Sequence, residues 1–296
     1  MKIATAAYPL DVMADWAAYE DKLSAWVDEA ASHGAALLVF PEYAAMELAT
    51  LAGPDVASDL EGSLHAVADR LEDADAFHAE LARQFQVHIL AGSGPATTDL
   101  PPGVTRPVNR ARLFAPSGAM GVQDKQVMTR FEAEVWDVVP GGPLHLFDTE
   151  LGKIGVLICY DAEFPMLGRA LADADLILVP SVTEALSGHT RVKVGARARA
   201  LENQCVTVMA SLVGDAAWSD AVDVSTGAGG IFGPPDRGFP EDGVLATGTL
   251  NAPGWTYAEV DRAAIDAVRT DGTVLGRRDW AASAGRAQHI TLTPLA

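Results

Sequence analysis

Gly155-Val156-Leu157-Ile158-Cys159-Tyr160-Asp161-Ala162-Glu163-Phe164-Pro165 is the stretch from which the fold is read. An apolar run of strand length stops at a cysteine, and Pro165 suits the first position of a helix. A strand, a tight turn and a helix in that order put the Cys159 sulfur at the edge of a sheet. Backbone N–H groups there would favour the thiolate. An ordinary thiol is only a few per cent ionised at neutral pH, so Cys159 needs a base or a positive neighbour to be a good nucleophile. The competing reading is a buried structural cysteine. Cys205, opening Cys205-Val206-Thr207-Val208, suits that reading better.

The same pattern extends in both directions. Short apolar runs read as strands at Lys2–Tyr8, Ala36–Phe40, Val87–Gly92, Arg110–Ala115, Ala119–Gln123, Leu144–Asp148, Ile154–Cys159, Leu176–Pro180 and Cys205–Ser211. Three more lie near Ala228–Phe232, Gly243–Thr247 and Trp255–Val260. Several are apolar throughout, as strands covered on both faces are. Helical spacing marks Asp15–Ser32, Asp73–Phe85, Pro165–Ala174 and Arg191–Gln204. Pro116-Ser117-Gly118 reads as the turn of a hairpin. The class is α/β. No composition break divides the chain, which reads as a single domain over 1–296 with a C-terminal tail from about 262.

Composition narrows the function. The 296 residues are 49% hydrophobic and carry 21 Lys plus Arg against 40 Asp plus Glu, a formal net charge of −19. Such a charge repels phosphate backbones and anionic lipid, so neither nucleic acid nor a membrane is an expected partner. Two cysteines cannot build a disulfide framework. The start of the chain lacks signal-peptide character, and a cytoplasmic protein is expected. No dinucleotide fingerprint, phosphate loop or serine elbow is present. The histidines at 33, 65, 78, 88, 145, 189 and 289 are scattered, and no metal site is expected.

Two further runs stop at reactive side chains. Leu37-Leu38-Val39-Phe40-Pro41-Glu42-Tyr43 puts Glu42 just past a strand's carboxyl end, where α/β folds place ligands. Asp124-Lys125-Gln126 leaves the hairpin, and Lys125 facing the cysteine would stabilise a thiolate and an oxyanion. Taken singly, each is equally a solvated charge.

In order and spacing, Pro41-Glu42-Tyr43, Asp124-Lys125 and Cys159-Tyr160-Asp161 resemble the glutamate–lysine–cysteine triad of the nitrilase superfamily of carbon–nitrogen hydrolases. Gly152-Lys153-Ile154-Gly155-Val156, Glu163-Phe164-Pro165 and Arg199-Ala200-Leu201-Glu202-Asn203 resemble its landmarks. The resemblance implies a four-layer α-β-β-α sandwich with two roughly six-stranded mixed sheets. It also implies a homodimer or higher homo-oligomer, built through Pro165–Ala174 and Arg191–Asn203. A second glutamate after the lysine is implied, with Glu132 favoured over its rival Glu134. Cys-Tyr-Asp resembles the amidase branch more than the nitrile hydrolases. Other stretches resemble a bacterial subgroup of undefined substrate, some of whose members carry an acetyltransferase-like domain that nothing here is long enough to be.

The expected chemistry is hydrolysis of a small amide through a thioester on Cys159, with no metal or organic cofactor. Glu42 is the base, Lys125 and the Tyr160 N–H hold the oxyanion, and Glu132 orients substrate and tunes Lys125 and Glu42. Nitrile hydrolysis or N-acyl transfer from the same thioester is the alternative, followed by a non-catalytic scaffold or a thiol redox protein using Cys159 and Cys205. Arg191, Lys193, Arg197 and Arg199 read as a carboxylate-recognising patch or as solvated or interface charges. Trp136, Trp218 and Trp255 read as pocket lining or core, and His189 as a residue within reach of the pocket.

Overall fold

The computed structural model describes residues 1–287 and 290–295; His289 and the last residue of the expected tail lie outside them. Along the chain run β1 (Lys2–Tyr8), α1 (Trp16–Ser32), β2 (Ala35–Val39), α2 (Pro54–Ser58), α3 (Leu60–Ala68), α4 (Leu71–Phe85), β3 (His88–Ala96), β4 (Val108–Phe114) and β5 (Met120–Asp124). They are followed by β6 (Leu146–Thr149), β7 (Gly152–Val156), α5 (Pro165–Ala170), β8 (Leu176–Ser181), α6 (Leu186–Asn203) and β9 (Val206–Leu212). The C-terminal part adds β10 (Gly214–Asp215), β11 (Val224–Ser225), β12 (Gly230–Phe232), β13 (Val244–Thr247), β14 (Gly254–Glu259), α7 (Arg262–Asp271) and α8 (Gly276–Arg286).

The mixed α/β class is as expected. The strands, however, are hydrogen-bonded into one twelve-stranded sheet rather than two separate ones, in the order β5-β4-β3-β2-β1-β9-β8-β7-β6. β14 pairs with β1, and β12 bridges β9 and β13. The join between the two halves is narrow. β2 pairs with β1 over Lys2–Thr5, while Ala7 and Tyr8 bond to Ser211 and Leu212 of β9.

Side-chain alternation divides β2 between two cores. Leu38 and Phe40 enter one cluster with Leu23 and Val27 of α1, Leu64 of α3 and Leu81 of α4. Leu37 and Val39 enter the other with Val156, Leu178 and Val208, which extends to Val192, Ala196 and Ala200 of α6. Both faces are therefore covered, which is why these strands read as unbroken apolar runs.

Local chemistry sets the boundaries. Asp15 caps α1, its Oδ1 accepting from Ala18 N at 2.9 Å. The hairpin from β4 to β5 turns at Gly118, whose φ of +82° suits glycine, and Gly118 N donates to Ala115 O at 2.8 Å. Helices α2 and α3 were not legible, and α4 begins at Leu71 rather than Asp73. The tail is no loose extension at its start. Ile265 and Val268 of α7 are buried, and Arg269 binds Asp175 Oδ1 at 2.7 Å.

Candidate active site

Four chain segments meet beyond the carboxyl ends of their strands. β7 ends at Val156, three residues earlier than expected, and Cys159 opens a tight 3-10 turn over Cys159–Glu163. Its φ of +48° lies in the left-handed region, a costly conformation for a residue with a side chain. That turn is held by Asp161. Its carboxylate accepts from Ile158 N at 3.2 Å, and also from Gln126 N at 3.2 Å and Val127 N at 2.9 Å. Asp161 thus ties the cysteine turn to the segment just after Lys125. It is buried, with its pKa pushed up to about 7 by burial against the pull of Lys125 and these N–H donors.

Lys125, which follows β5, is 1% exposed. Its Nζ donates to Glu42 Oε1 at 2.7 Å and to Glu132 Oε2 at 2.6 Å. Glu42 follows β2, and its Oε2 accepts from Val182 N at 3.0 Å, just beyond β8. Glu132 opens a π-turn over Glu132–Trp136 and takes Thr129 N at 2.9 Å and Tyr43 Oη at 2.9 Å. Glu134 is exposed and pairs with Arg130 at 2.7 Å, so Glu132 is the glutamate that meets the lysine.

Each charge shifts the others. Burial pushes Glu42 up, and the neighbouring Glu132 adds to this against Lys125. Burial also acts to raise Glu132, but Lys125 and the Thr129 donors hold it below the ordinary range. Burial works against the Lys125 ammonium, yet the two carboxylates outweigh it and its pKa rises. The Cys159 thiol is raised well above its ordinary value, first by burial and then by the Glu42 carboxylate. Burial and the neighbouring carboxylate thus outweigh the backbone N–H groups expected to favour the thiolate. Cys159 Sγ donates to Val182 O at 3.5 Å.

Glu42, Lys125, Glu132 and Cys159 line one cavity of about 410 Å³, together with Tyr43, Trp136, Tyr160 and Arg191. Tyr160 is half-buried, its ring 4.8 Å from that of Phe164 in an edge-on contact. The remaining candidates divide. Arg191 reaches the cavity mouth, bonded to Glu163 at 3.2 Å. Arg199 is buried against Glu202, Arg197 binds Asp242 O, and neither lines the cavity. Trp255 packs with Trp26 and Phe40 in the core. His189 is buried and does not line the cavity. Cys205 lies in the core on the far side of β8 from β7, its thiol pushed up to about 12 by burial.

Asn109 was missed. It sits in β4, fully buried, and its Nδ2 donates to Glu42 Oε1 at 2.9 Å. β4 also carries Arg110 and Arg112, so a polar residue there did not stand out in the sequence, and only its full burial shows that its amide needs a partner.

The carbon-nitrogen hydrolase family model matches residues 2–270. The probable hydrolase YhcX of Bacillus subtilis (strain 168) is 29% identical over 284 residues, 94% of this chain and 53% of that protein. The deaminated glutathione amidase of Yersinia enterocolitica is 31% identical over 147 residues, 46% of this chain and 50% of that protein. The chain thus spans about half the length of these two relatives. Among solved structures, Saccharomyces cerevisiae Nit3, a member of branch 10 of the nitrilase superfamily, superposes with a TM-score of 0.69 at 22% identity, over 91% of this chain and 93% of that one. An amidase variant from Nesterenkonia sp. AN1, carrying the product of acrylamide addition at its active site cysteine, gives 0.67 at 23% identity, over 97% and 99%. By the family model that covers residues 2–270, the chain belongs to the carbon-nitrogen hydrolase family.

Proposed function

We propose that this enzyme hydrolyses the C–N bond of a small amide through a thioester on Cys159. The observation that carries the reading is the buried Glu42–Lys125–Glu132 cluster lining one cavity with the thiol. Glu42 Oε1 is already occupied by Lys125 and Asn109, whereas Oε2 accepts one N–H from Val182. Oε2 is therefore the more basic oxygen and takes the thiol proton as sulfur attacks the carbonyl carbon. The carbonyl π electrons move to oxygen, and the oxyanion is held by Lys125 Nζ and the Tyr160 N–H. Collapse breaks the C–N bond while protonated Glu42 gives its proton to the departing ammonia or amine. Water then attacks the thioester, Glu42 takes its proton, and the carboxylic acid leaves as sulfur regains a hydrogen.

A thiol that is neutral at rest fits this order, because the base acts only when substrate is present. Glu132 keeps Lys125 charged and fixed. Exposed Met166 on α5 and Val194 and Leu201 on α6 support assembly of copies across those helices. Nitrile hydrolysis and acyl transfer remain the alternatives from the same thioester. An ammonia-release assay across short-chain amides and nitriles tests the reading. Release from amides by the wild type, abolished in a folded Cys159→Ala variant, is expected. Wild-type turnover in that variant would sink it.

A further inference from the structure

The cavity above Cys159 holds more negative charge than the chemistry on its floor uses. Two cations line it. Lys125 is taken up by Glu42 and Glu132, and Arg191 by Glu163. Three other lining carboxylates, Glu184, Asp220 and Asp223, are exposed and have no ion pair among the described residues. They come from two separate segments. Glu184 lies just past Val182, whose carbonyl meets the thiol, and the aspartates precede β11. Acidic side chains alone would define nothing. Here they rim a cavity whose floor already carries a buried thiol.

The walls favour the same sign of charge. Tyr43, Phe131, Trp136 and Tyr160 line the cavity, with the Trp136 ring 4.8 Å from Tyr43 and 5.9 Å from Phe131. Aromatic faces attract cations. An amide with a carboxylate at its far end would meet three unneutralised like charges and a guanidinium already bonded to Glu163.

We propose that the substrate is a small amide whose far end is cationic, an ammonium or guanidinium group. That end rests between the aromatic wall and the carboxylates of Glu184, Asp220 and Asp223 while the carboxamide lies on Cys159. This names the substrate class of the hydrolase reading and rests on it.

The test compares three amides of similar length: an ω-amino pentanamide, uncharged hexanamide and the ω-carboxy analogue glutaramate. At low ionic strength kcat/KM is expected to be roughly tenfold or more higher for the amino amide than for hexanamide, with glutaramate last. Added salt should shrink the preference. In a Glu184→Gln, Asp220→Asn, Asp223→Asn variant the ratio between amino amide and hexanamide should fall roughly tenfold. Because the ratio is taken within one protein, a general loss of activity cancels. A ratio near one in the wild type, or one unchanged in the triple variant, overturns the proposal. Calorimetry on Cys159→Ala separates the two readings. Glutaramate hydrolysed fastest leaves a hydrolase and removes the cationic class. Absent turnover, with the amino amide still bound tightest, removes the hydrolase and leaves the cation-selective cavity.

Discussion

The two thiols of this chain have nearly the same burial and opposite surroundings. Cys159 and Cys205 are 4% and 0% exposed, and burial raises the pKa of each. Cys205 immediately precedes β9, donates to Arg199 O at 3.8 Å and does not line the Cys159 cavity. Cys159 sits in a left-handed turn and lines a cavity together with Glu42 and Lys125, which are bonded to each other at 2.7 Å. Burial alone therefore makes a thiol inert. What distinguishes Cys159 is a cavity it shares with Glu42 and Lys125, the groups that in the proposed mechanism take its proton and hold the oxyanion.

The largest test of that contrast is Cys159→Ala against Cys205→Ala. The first should lose amide turnover entirely and stay folded, while the second keeps it and loses about 1 kcal/mol of stability from the vacated core volume. Equal losses of turnover would erase the distinction. Next is Lys125→Met, which removes the oxyanion's ammonium and should cost roughly 10²–10³ in kcat. It also leaves Glu42 and Glu132 buried together, so a stability loss of about 3–5 kcal/mol is expected in denaturant melts.

A smaller effect belongs to Asn109→Ala. Glu42 loses a donor that favours its charged form, so its pKa rises further. The base must be ionised to work, and the acid limb of the kcat/KM profile should move to higher pH, with about a tenfold loss near neutrality. A lower rate with an unmoved limb would make Asn109 a packing residue only.

A pH-dependent effect on stability lies in the turn itself. The Asp161 carboxyl is raised from 3.8 to about 7, so the folded state holds its proton more tightly than the unfolded one. Stability should then fall as pH rises through that window, by at most about 1.4 kcal/mol per pH unit from this group. Thermal melts of Asp161→Asn should show a flatter pH dependence than the wild type. An unchanged slope would assign the effect elsewhere.

The reactive side chains were legible because each ends an apolar run, and a strand's carboxyl end in an α/β fold is where side chains leave the sheet. The resemblance favoured Glu132 over Glu134, and what separates them physically shows only in three dimensions: Glu132 bonds to Lys125, while Glu134 pairs with Arg130 at the surface. Helices α2 and α3 escaped because α2 is only five residues long and Asp59, which caps α3, is the single residue between them. Asp161 was quoted as a hint about substrate. It faces three backbone N–H groups instead and is absent from the cavity lining. The acidic rim is assembled from segments far apart along the chain, and no local pattern announces such a meeting. The two-residue join of β1 to β9 depends on how far β1 outruns β2, which periodicity does not encode.

The central claim is that one sulfur, served by Glu42 and Lys125, takes the acyl group of an amide. Rapid-quench mass spectrometry of wild-type protein mixed with a turned-over amide, followed by peptide mapping, tests it most directly. The account predicts a mass gain of one acyl group minus a hydrogen on the peptide holding Cys159, lost on further incubation and absent from the Cys205 peptide. Turnover with no covalent adduct at any quench time, or an adduct on Cys205, would contradict it.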